Sequence, residues 1–344
     1  MRVVVLHNAE AAPAHGEARD ALAVVAVQAC ARAVSEALRR GGHEALPLPA
    51  PEEPAALLAA LRAARPDTIF NLVESYRGEA ALEPAVNGLL ELSGIPYTGS
   101  RSLACALALR KPIAKALLAA AGVPVAAGRA LSFADASRDG GARLLAELAE
   151  RVAFPWIVKP AAEDASHGID AGSVVDDVAA ACARAKLVAQ RFAQGVLVER
   201  FIAGRELNVA LLGPHDAPQV LPLRAIDFSH FPKGRPALVT YASKWVEGSP
   251  DWNGTNVVDA DLPPAAAERV AETARRAWTA LHLSGYGRVD LRLDDDGTPV
   301  VLEANPNPDL SPDAGFALAW ARTGSTYDQL ILRIVDLAYA GPAA

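Results

Sequence analysis

The sequence predicts a chain of α/β and α+β units: a parallel-sheet block, a small mixed block, and a strand-rich block of antiparallel pairs. Three observations lead there. Strand and helix patterns alternate through residues 1–100, the rhythm of βαβ units around a parallel sheet. Residues 101–190 carry short strands between helices. From residue 191 strand patterns dominate, and they culminate in an Asp296-Gly297 hairpin signal between two apolar-patterned runs. The expected domains are therefore 1–100, 101–190 and 191–344.

Each element has a local reason. Arg2–His7 (RVVVLH) is a continuous apolar run suited to a strand buried on both faces. Asp20–Arg40 reads as a helix closed by Gly41-Gly42. Glu44–Leu48 and Thr68–Leu72 are expected strands around a Glu52–Ala64 helix, and Ala80–Ser93 is a helix stopped by Gly94-Ile95-Pro96. Lys111–Ala121 follows, with Pro112 in the first turn, where no intrahelical N–H is needed. Phe154–Lys159 and Ala171–Val175 are expected strands flanking the polar connection Ala161–Asp170. Asp176–Arg191 reads as a helix and Gly195–Arg200 as a strand. Phe228–Val258 is expected to be one long irregular stretch, rich in Pro and Gly. Its Tyr241, Lys244, Trp245 and Trp252 mark it as a lid rather than a disordered segment. Pro263–Leu283 is a helix, followed by two strands and two closing helices.

Composition narrows the function. Hydrophobic residues are 51 % of the 344 and charged residues 21 %, too apolar for a disordered chain. The net charge of −7 lacks the basic excess of a nucleic-acid binder but leaves room for a local basic pocket. Cys30, Cys105 and Cys182 show no CxxC spacing, which excludes a disulfide scaffold or zinc ribbon and fits a reducing cytoplasm. Charges interrupt every apolar run before the ~20 residues a membrane span needs. The expectation is a cytoplasmic protein with neither nucleic-acid nor membrane partners.

Gly285–Asn305 (GYGRVDLRLDDDGTPVVLEAN) is the most informative segment. A two-residue turn at Asp296-Gly297 sets Asp290 opposite Glu303 and Arg288 opposite Asn305. It also sets Val289, Leu291 and Leu293 against Ala304, Leu302 and Val300 on the other, apolar face. Two carboxylates and an amide oxygen so close repel one another unless a cation intervenes. Hard oxygen ligands suit Mg²⁺, which normally shares its shell with substrate phosphates. Arg288 at the rim offers a fixed positive fork for an oxyanion or a phosphate. A plain surface lattice of Arg, Asp and Glu is the alternative.

The usual phosphate loops, GxxxxGK and GxGxxG, do not occur, and neither do GxSxG or HExxH. Lys159 instead closes the apolar run FPWIVKP, just before a small-residue loop with Ser166 and Gly168. A lysine at that place can hold phosphate oxygens while loop amides wrap them. VLVERFIAGRE (196–206) offers two acids, Glu199 and Glu206, on either side of hinge backbone at Phe201-Ile202, a pattern suited to adenine and ribose.

In order along the chain, IPYTGS (95–100), the Lys111 helix, WIVKPAAEDASHGI (156–169), VLVERFIAGRE, GYGRVDLRLD (285–294) and VLEANPNPDLSPDAG (301–315) resemble the ATP-grasp superfamily. The resemblance is closest to D-alanine–D-alanine ligase-like enzymes. It implies an ATP-grasp fold with an N-terminal parallel-sheet domain, a small central α+β domain and a C-terminal antiparallel-sheet domain. It further implies that Lys111 and Lys159 bind nucleotide phosphates, and that Glu199, Phe201, Ile202 and Glu206 bind adenine and ribose. Asp290, Glu303 and Asn305 would be ligands of magnesium, expected as two ions, and Arg288 the oxyanion arginine. Lys244 occupies the place of the lid lysine, and Ser166 lies in the loop folding over the phosphates. The implied activity is an ATP-dependent carboxylate–amine ligase acting on small molecules through an acyl phosphate, with a homodimer as the oligomeric expectation.

The chain departs from that pattern on the substrate side. The family's ammonium-binding glutamate has no clear counterpart in HNAEAAPAHGEARDALAV, where Glu17 and Asp20 substitute by proximity only. Its histidine-glycine pair after the third strand is replaced within Asn71-Leu72-Val73-Glu74-Ser75. Ala165 and Ala314 stand where serines are usual, and Trp245 where the lid has tyrosine. The catalytic set is kept and the substrate pockets are rebuilt. True D-alanine–D-alanine synthesis and a non-catalytic nucleotide-binding protein are the alternatives, the latter opposed by Arg288.

Overall fold

The computed structural model describes residues 1–9 and 21–339. Its first sheet is parallel, in the order β2-β1-β3, from β1 (Arg2–His7), β2 (Glu44–Pro49) and β3 (Thr68–Leu72). β1 is central, and Val3, Val4, Val5 and Leu6 are fully buried, as their unbroken apolar run requires. Helices α1 (Ala21–Arg40), α2 (Pro54–Ala64) and α3 (Glu83–Ser93) complete this unit. The expected helix from residue 80 divides: Ala80–Leu82 is a single 3-10 turn, and α3 starts only at Glu83. Pro84 explains the break, because proline is tolerated in the first turn and not in a helix interior.

After α4 (Ser102–Leu109) and α5 (Lys111–Ala120) comes an antiparallel sheet ordered β4-β7-β5-β6. Its strands are β4 (Gly128–Leu131), β5 (Trp156–Pro160), β6 (Val174–Val175) and β7 (Val196–Arg200). It is backed by α6 (Phe133–Asp139), α7 (Ala142–Ala149) and α8 (Val178–Phe192), around a core that includes Trp156 and Phe192. The strand expected over 171–175 shrinks to β6. Asp170 caps a 3-10 turn at Ala171–Ser173 through a reciprocal capping box, so only Val174 and Val175 remain to pair with β5.

The third sheet runs β11-β10-β8-β12-β13, with β9 (Gln219–Val220) on β8. Its main strands are β8 (Glu206–Gly213), β10 (Arg224–Asp227), β11 (Asn256–Asp259), β12 (Gly285–Leu293) and β13 (Pro299–Asn305). The expected irregular stretch 228–258 is partly ordered: it contains α9 (Tyr241–Trp245), α10 (Pro250–Asn253) and most of β11. Thr240 and Ser249 cap the two short helices, and Arg235 pairs with Asp251 at 2.7 Å. Helix α11 (Pro264–Ala280) covers this sheet, with Trp278 fully buried beneath it. The closing helices are α12 (Gly315–Ala321) and α13 (Tyr327–Tyr339). α13 returns to the first unit and shares a core with α1, where Arg40 pairs with Asp328 at 2.7 Å.

The β12–β13 hairpin departs instructively from the expected turn. Its loop has three residues, with Asp294 and Thr298 paired across it and only Gly297 at positive φ (77°). The lower pairs are consequently Leu293↔Pro299, Arg292↔Val300 and Leu291↔Val301, one residue off the expected register. A bulge at Leu302 then restores the expected pairs Asp290↔Glu303, Val289↔Ala304 and Arg288↔Asn305.

Candidate active site

β12 lies between β8 and β13, so its polar face is framed on both sides. Asp290 faces Glu303 on β13 and Asn208 on β8, and Asn208 Nδ2 donates to Asp290 Oδ1 at 2.8 Å. Arg288 grips the same carboxylate through Nε and Nη2, both at 2.7 Å. Burial disfavours the guanidinium's charge, but Asp290 and Glu303 more than compensate and its pKa is raised. Asn305 accepts from the Asn307 amide at 2.8 Å, which fixes the side chain where the strand gives way to irregular chain.

Cations converge on Glu303. Burial alone would raise its pKa; Lys111, Lys159, Lys244 and Arg288 outweigh that and hold it at about 2. Lys111, at the start of α5, approaches Glu303 to 3.4 Å and donates to the Glu163 carbonyl. Lys159, at the end of β5, sits 2.6 Å from Glu199 Oε1, while Lys115 lies 3.1 Å from Glu199 Oε2 and donates to the Val301 carbonyl at 2.8 Å. Glu199 is 1 % exposed; its pKa, which burial would raise, is lowered by these two lysines. The Lys244 ammonium has no hydrogen-bond or ion-pair partner among the described residues, and burial and Arg288 lower its pKa.

The opposite wall is organised by Arg292, which is 2 % exposed. Its guanidinium holds Glu206 Oε2 at 2.7 and 2.9 Å, the Ile202 carbonyl at 2.7 Å and the Ala237 carbonyl at 2.6 Å. It also lies 5.0 Å from the Phe201 ring centroid and 5.7 Å from that of Phe228. The hinge, the acid after it and the 228–258 segment therefore share one buried cation.

The small-residue loop folds against that same segment. Ala165 and Ser166 both adopt positive φ (54° and 60°), a conformation that costs non-glycine residues roughly 1 kcal/mol each. Trp245 Nε1 donates to the Ala165 carbonyl at 3.2 Å, the Tyr241 amide donates to the Ile169 carbonyl at 3.1 Å, and His167 stacks on Tyr241. Trp245 thus reaches backbone where this loop has alanine, so the two departures noted in the sequence meet in one contact.

A cavity of about 630 Å³ collects these groups. Lys159, Ser166, Glu199, Phe201, Ile202, Glu206, Lys244, Arg288, Asp290, Glu303 and Asn305 line it; Lys111 touches it through Glu303. The expected substitutes Glu17 and Asp20 fall outside the described residues. Sequence reasoning passed over Lys115, Asn208 and Arg292. Two of them carried a signal: Lys115 is one helical turn from Lys111, and Arg292 follows 288 and 290 in strand alternation. The donor set suits magnesium, since Asp290, Glu303 and Asn305 offer only oxygen. No cluster of three or more His, Cys, Asp or Glu able to hold a metal exists among the described residues, so a magnesium ion held by Asp290, Glu303 and Asn305 would complete its shell with water or oxygens of a bound molecule.

Known proteins resemble the chain as a whole. The model of the D-ala D-ala ligase C-terminus matches residues 117–336. The chain is 35 % identical over 302 residues to a D-alanine–D-alanine ligase of Gluconobacter oxydans, covering 87 % of this chain and 89 % of that protein. It is 33 % identical over 279 residues to the Bordetella petrii ligase of the same name, covering 81 % and 78 %. Its fold matches that of a Bacillus anthracis D-alanine–D-alanine ligase complexed with ATP, with a TM-score of 0.73 and 21 % identity over 99 % of this chain and 98 % of that one.

Proposed function

This chain belongs to the D-alanine–D-alanine ligase family, and from that premise we propose that it joins a small carboxylate to an amine through an acyl phosphate. It is an ATP-dependent, ADP-forming ligase that makes a carbon–nitrogen bond. The observation that carries the proposal is the polar face of β12 and β13. There Arg288, Asp290, Glu303 and Asn305 stand together while Lys111, Lys159 and Lys244 converge on Glu303.

In the proposed reaction, a substrate carboxylate oxygen attacks the γ-phosphorus of ATP, the bond to the β-phosphate oxygen breaks, and ADP leaves with the bonding pair. The amine nitrogen then attacks the acyl carbon. The C–N bond forms, the C–O bond to phosphate breaks, and the proton lost by nitrogen leaves on inorganic phosphate. Catalysis of this kind is alignment plus charge stabilisation. Lys111, Lys159, Lys244 and the Ser166 loop hold the triphosphate in this reading. Arg288 stabilises the developing oxyanion, and Glu199, Glu206, Phe201 and Ile202 form the adenine and ribose side. Asp290, Glu303 and Asn305 would hold magnesium, in two ions, which supplies charge neutralisation at the phosphates when bound. The contacts from Trp245 and Tyr241 to the loop close the site against water, which would hydrolyse an acyl phosphate.

The three-unit division near residues 100 and 190, the cytoplasmic location and a homodimer belong to the same proposal. No described helix is long and apolar enough to cross a membrane, and all three cysteines are free. ADP release, measured across pairs of amino acids, dipeptides, other carboxylates and amines, tests the function. Turnover with some carboxylate–amine pair is expected. Turnover with D-alanine alone would return the chain to its relatives' named activity, and no ADP with any pair would contradict ligase function.

A further inference from the structure

Lys244 reaches the cavity from a helix that cannot place it unaided. α9 has five residues, far below the about 12–15 at which a helix begins to hold by itself in water. The Lys244 ammonium, without a partner among the described residues, adds no anchor of its own. Whatever fixes the start of α9 therefore fixes where that charge stands.

The start is Thr240. Its hydroxyl donates to Asp251 Oδ2 at 2.8 Å, and its oxygen accepts from the Ser243 amide at 3.1 Å. An ionised carboxylate can only accept, so Asp251 sets the direction of the hydroxyl and leaves its lone pairs to the cap. Asp251 is 5 % exposed, and Arg235 holds both of its oxygens, at 2.7 and 2.8 Å. Two neutral contacts join the same stretches. Thr255 donates to the Ser243 hydroxyl at 3.2 Å, and Ser249 donates to the Ala242 carbonyl at 3.3 Å.

α10, which carries Asp251, is itself firmly seated. A Cβ on Gly254, at the end of α10, would come within 2.7 Å of Phe231 Cα, so the two backbones are in contact. Arg235 lies 5.4 Å from the Phe231 ring centroid, and Phe231 meets Phe228 edge-on at 5.5 Å. Phe228 packs against Arg292, the cation that holds Glu206 and the hinge. Asp251 thus ties α9 to the wall on the adenine and ribose side.

Resting on the ligase reading above, we propose that Asp251 is a positioning residue: it sets α9, and through α9 the Lys244 ammonium, against the triphosphate. Asp251 lies outside the cavity lining and acts through Thr240. The adenine and ribose side does not depend on it in the same way, because Arg292 holds the Ala237 carbonyl of the same segment separately, at 2.6 Å. Loss of Asp251 releases α9 and leaves that side in place.

The test is calorimetric titration of the full chain, with magnesium present, using AMP and a non-hydrolysable ATP analogue. Asp251→Ala is expected to weaken binding of the analogue by about tenfold or more, the worth of one charge-assisted hydrogen bond, and to leave AMP unchanged. Asp251→Asn keeps an oxygen for the Thr240 hydroxyl and should recover most of the loss. In a Lys244→Met background Asp251→Ala should cost nothing further, since the group it positions is gone. Should Asp251→Ala not fold, Thr240→Val, which removes the hydroxyl, carries the same expectations. Unchanged affinity for the analogue, equal loss for AMP and the analogue, or the full loss in the Lys244→Met background overturns the inference. ADP release separates the two readings. A native chain that releases ADP, with Asp251→Ala binding the analogue normally, leaves the ligase and removes the positioning role. The Asp251 effect without ADP from any carboxylate–amine pair keeps the role and removes the ligase.

Discussion

Arg288 and Asp290 lie two residues apart on β12 and meet through a two-point contact, Nε to Oδ1 and Nη2 to Oδ2, each 2.7 Å. Strand alternation puts both on one face, and Asn208 secures the carboxylate from the neighbouring strand at 2.8 Å. The arginine is thereby aimed before any substrate arrives. Preorganised charge of this kind is worth about 10²–10³-fold in turnover when one donor is lost. Arg288→Ala should lower kcat by that amount while nucleotide affinity, followed by titration, changes little. Arg288→Lys should rescue poorly, because an ammonium cannot reproduce the fork. Equal loss of nucleotide binding would show that Arg288 is a binding group.

Glu199 is held between Lys115 and Lys159 at 3.1 and 2.6 Å. Burial takes Lys115 down to about 8, against the pull of Glu199. Glu199→Gln would leave two buried ammonium groups facing each other. Breaking a buried pair in this way costs about 3–5 kcal/mol. Urea unfolding at neutral pH should register a loss of that size. A loss below about 1 kcal/mol would mean that the cluster is solvated like a surface pair.

Arg292 ties Glu206, Ile202 and Ala237 together. Arg292→Met keeps the length of the side chain but releases the hinge carbonyl and the 228–258 segment at once. The KM for ATP should rise by about tenfold or more, with a smaller effect on kcat, the pattern of lost binding shared by ground and transition states. An unchanged KM with reduced kcat would place Arg292 in the chemical step.

Glu74 gives a pH dependence with a definite sign. Burial raises it to about 8 from an ordinary 4.5; Asp309 and Asp164 add to the rise, and Lys244 and Arg288 oppose it, with Glu83 and Cys30 also facing it. A carboxyl raised on folding contributes stability that is present below about 4.5 and lost as pH rises to about 8. Glu74→Gln has no such loss, so its Tm advantage over the native chain should grow as pH rises from 4.5 to about 8 and then level off. A Tm difference flat with pH would show that Glu74 ionises normally.

Much of this site was legible in the sequence because strand alternation and loop position mark it. The pairing Asp290↔Glu303 was expected from a two-residue turn, yet the loop has three residues and a bulge at Leu302 takes up the difference. Two local departures of one residue cancel where it matters. Neither is encoded by period alone, since Asp294-Asp295-Asp296-Gly297 suits either loop and Leu302 looks like any core residue. The capped turn at Ala171–Ser173 was missed for a similar reason, a local Asp170 contact outcompeting a short apolar run. The acids Glu74 and Glu83 gave no signal, because their burial depends on how the first sheet meets the chain after β13. The two units meet through contacts such as that of Asn307 with the Val73 carbonyl.

The central claim is an acyl-phosphate intermediate formed in front of Arg288 and the Asp290–Glu303 pair. Its most direct test uses the carboxylate–amine pair that releases ADP, with the carboxylate labelled in both oxygens with ¹⁸O. Mass spectrometry of the inorganic phosphate should find one labelled oxygen per turnover, transferred from the carboxylate. Phosphate without label, with both labelled oxygens still on carbon or lost to water, would contradict the account.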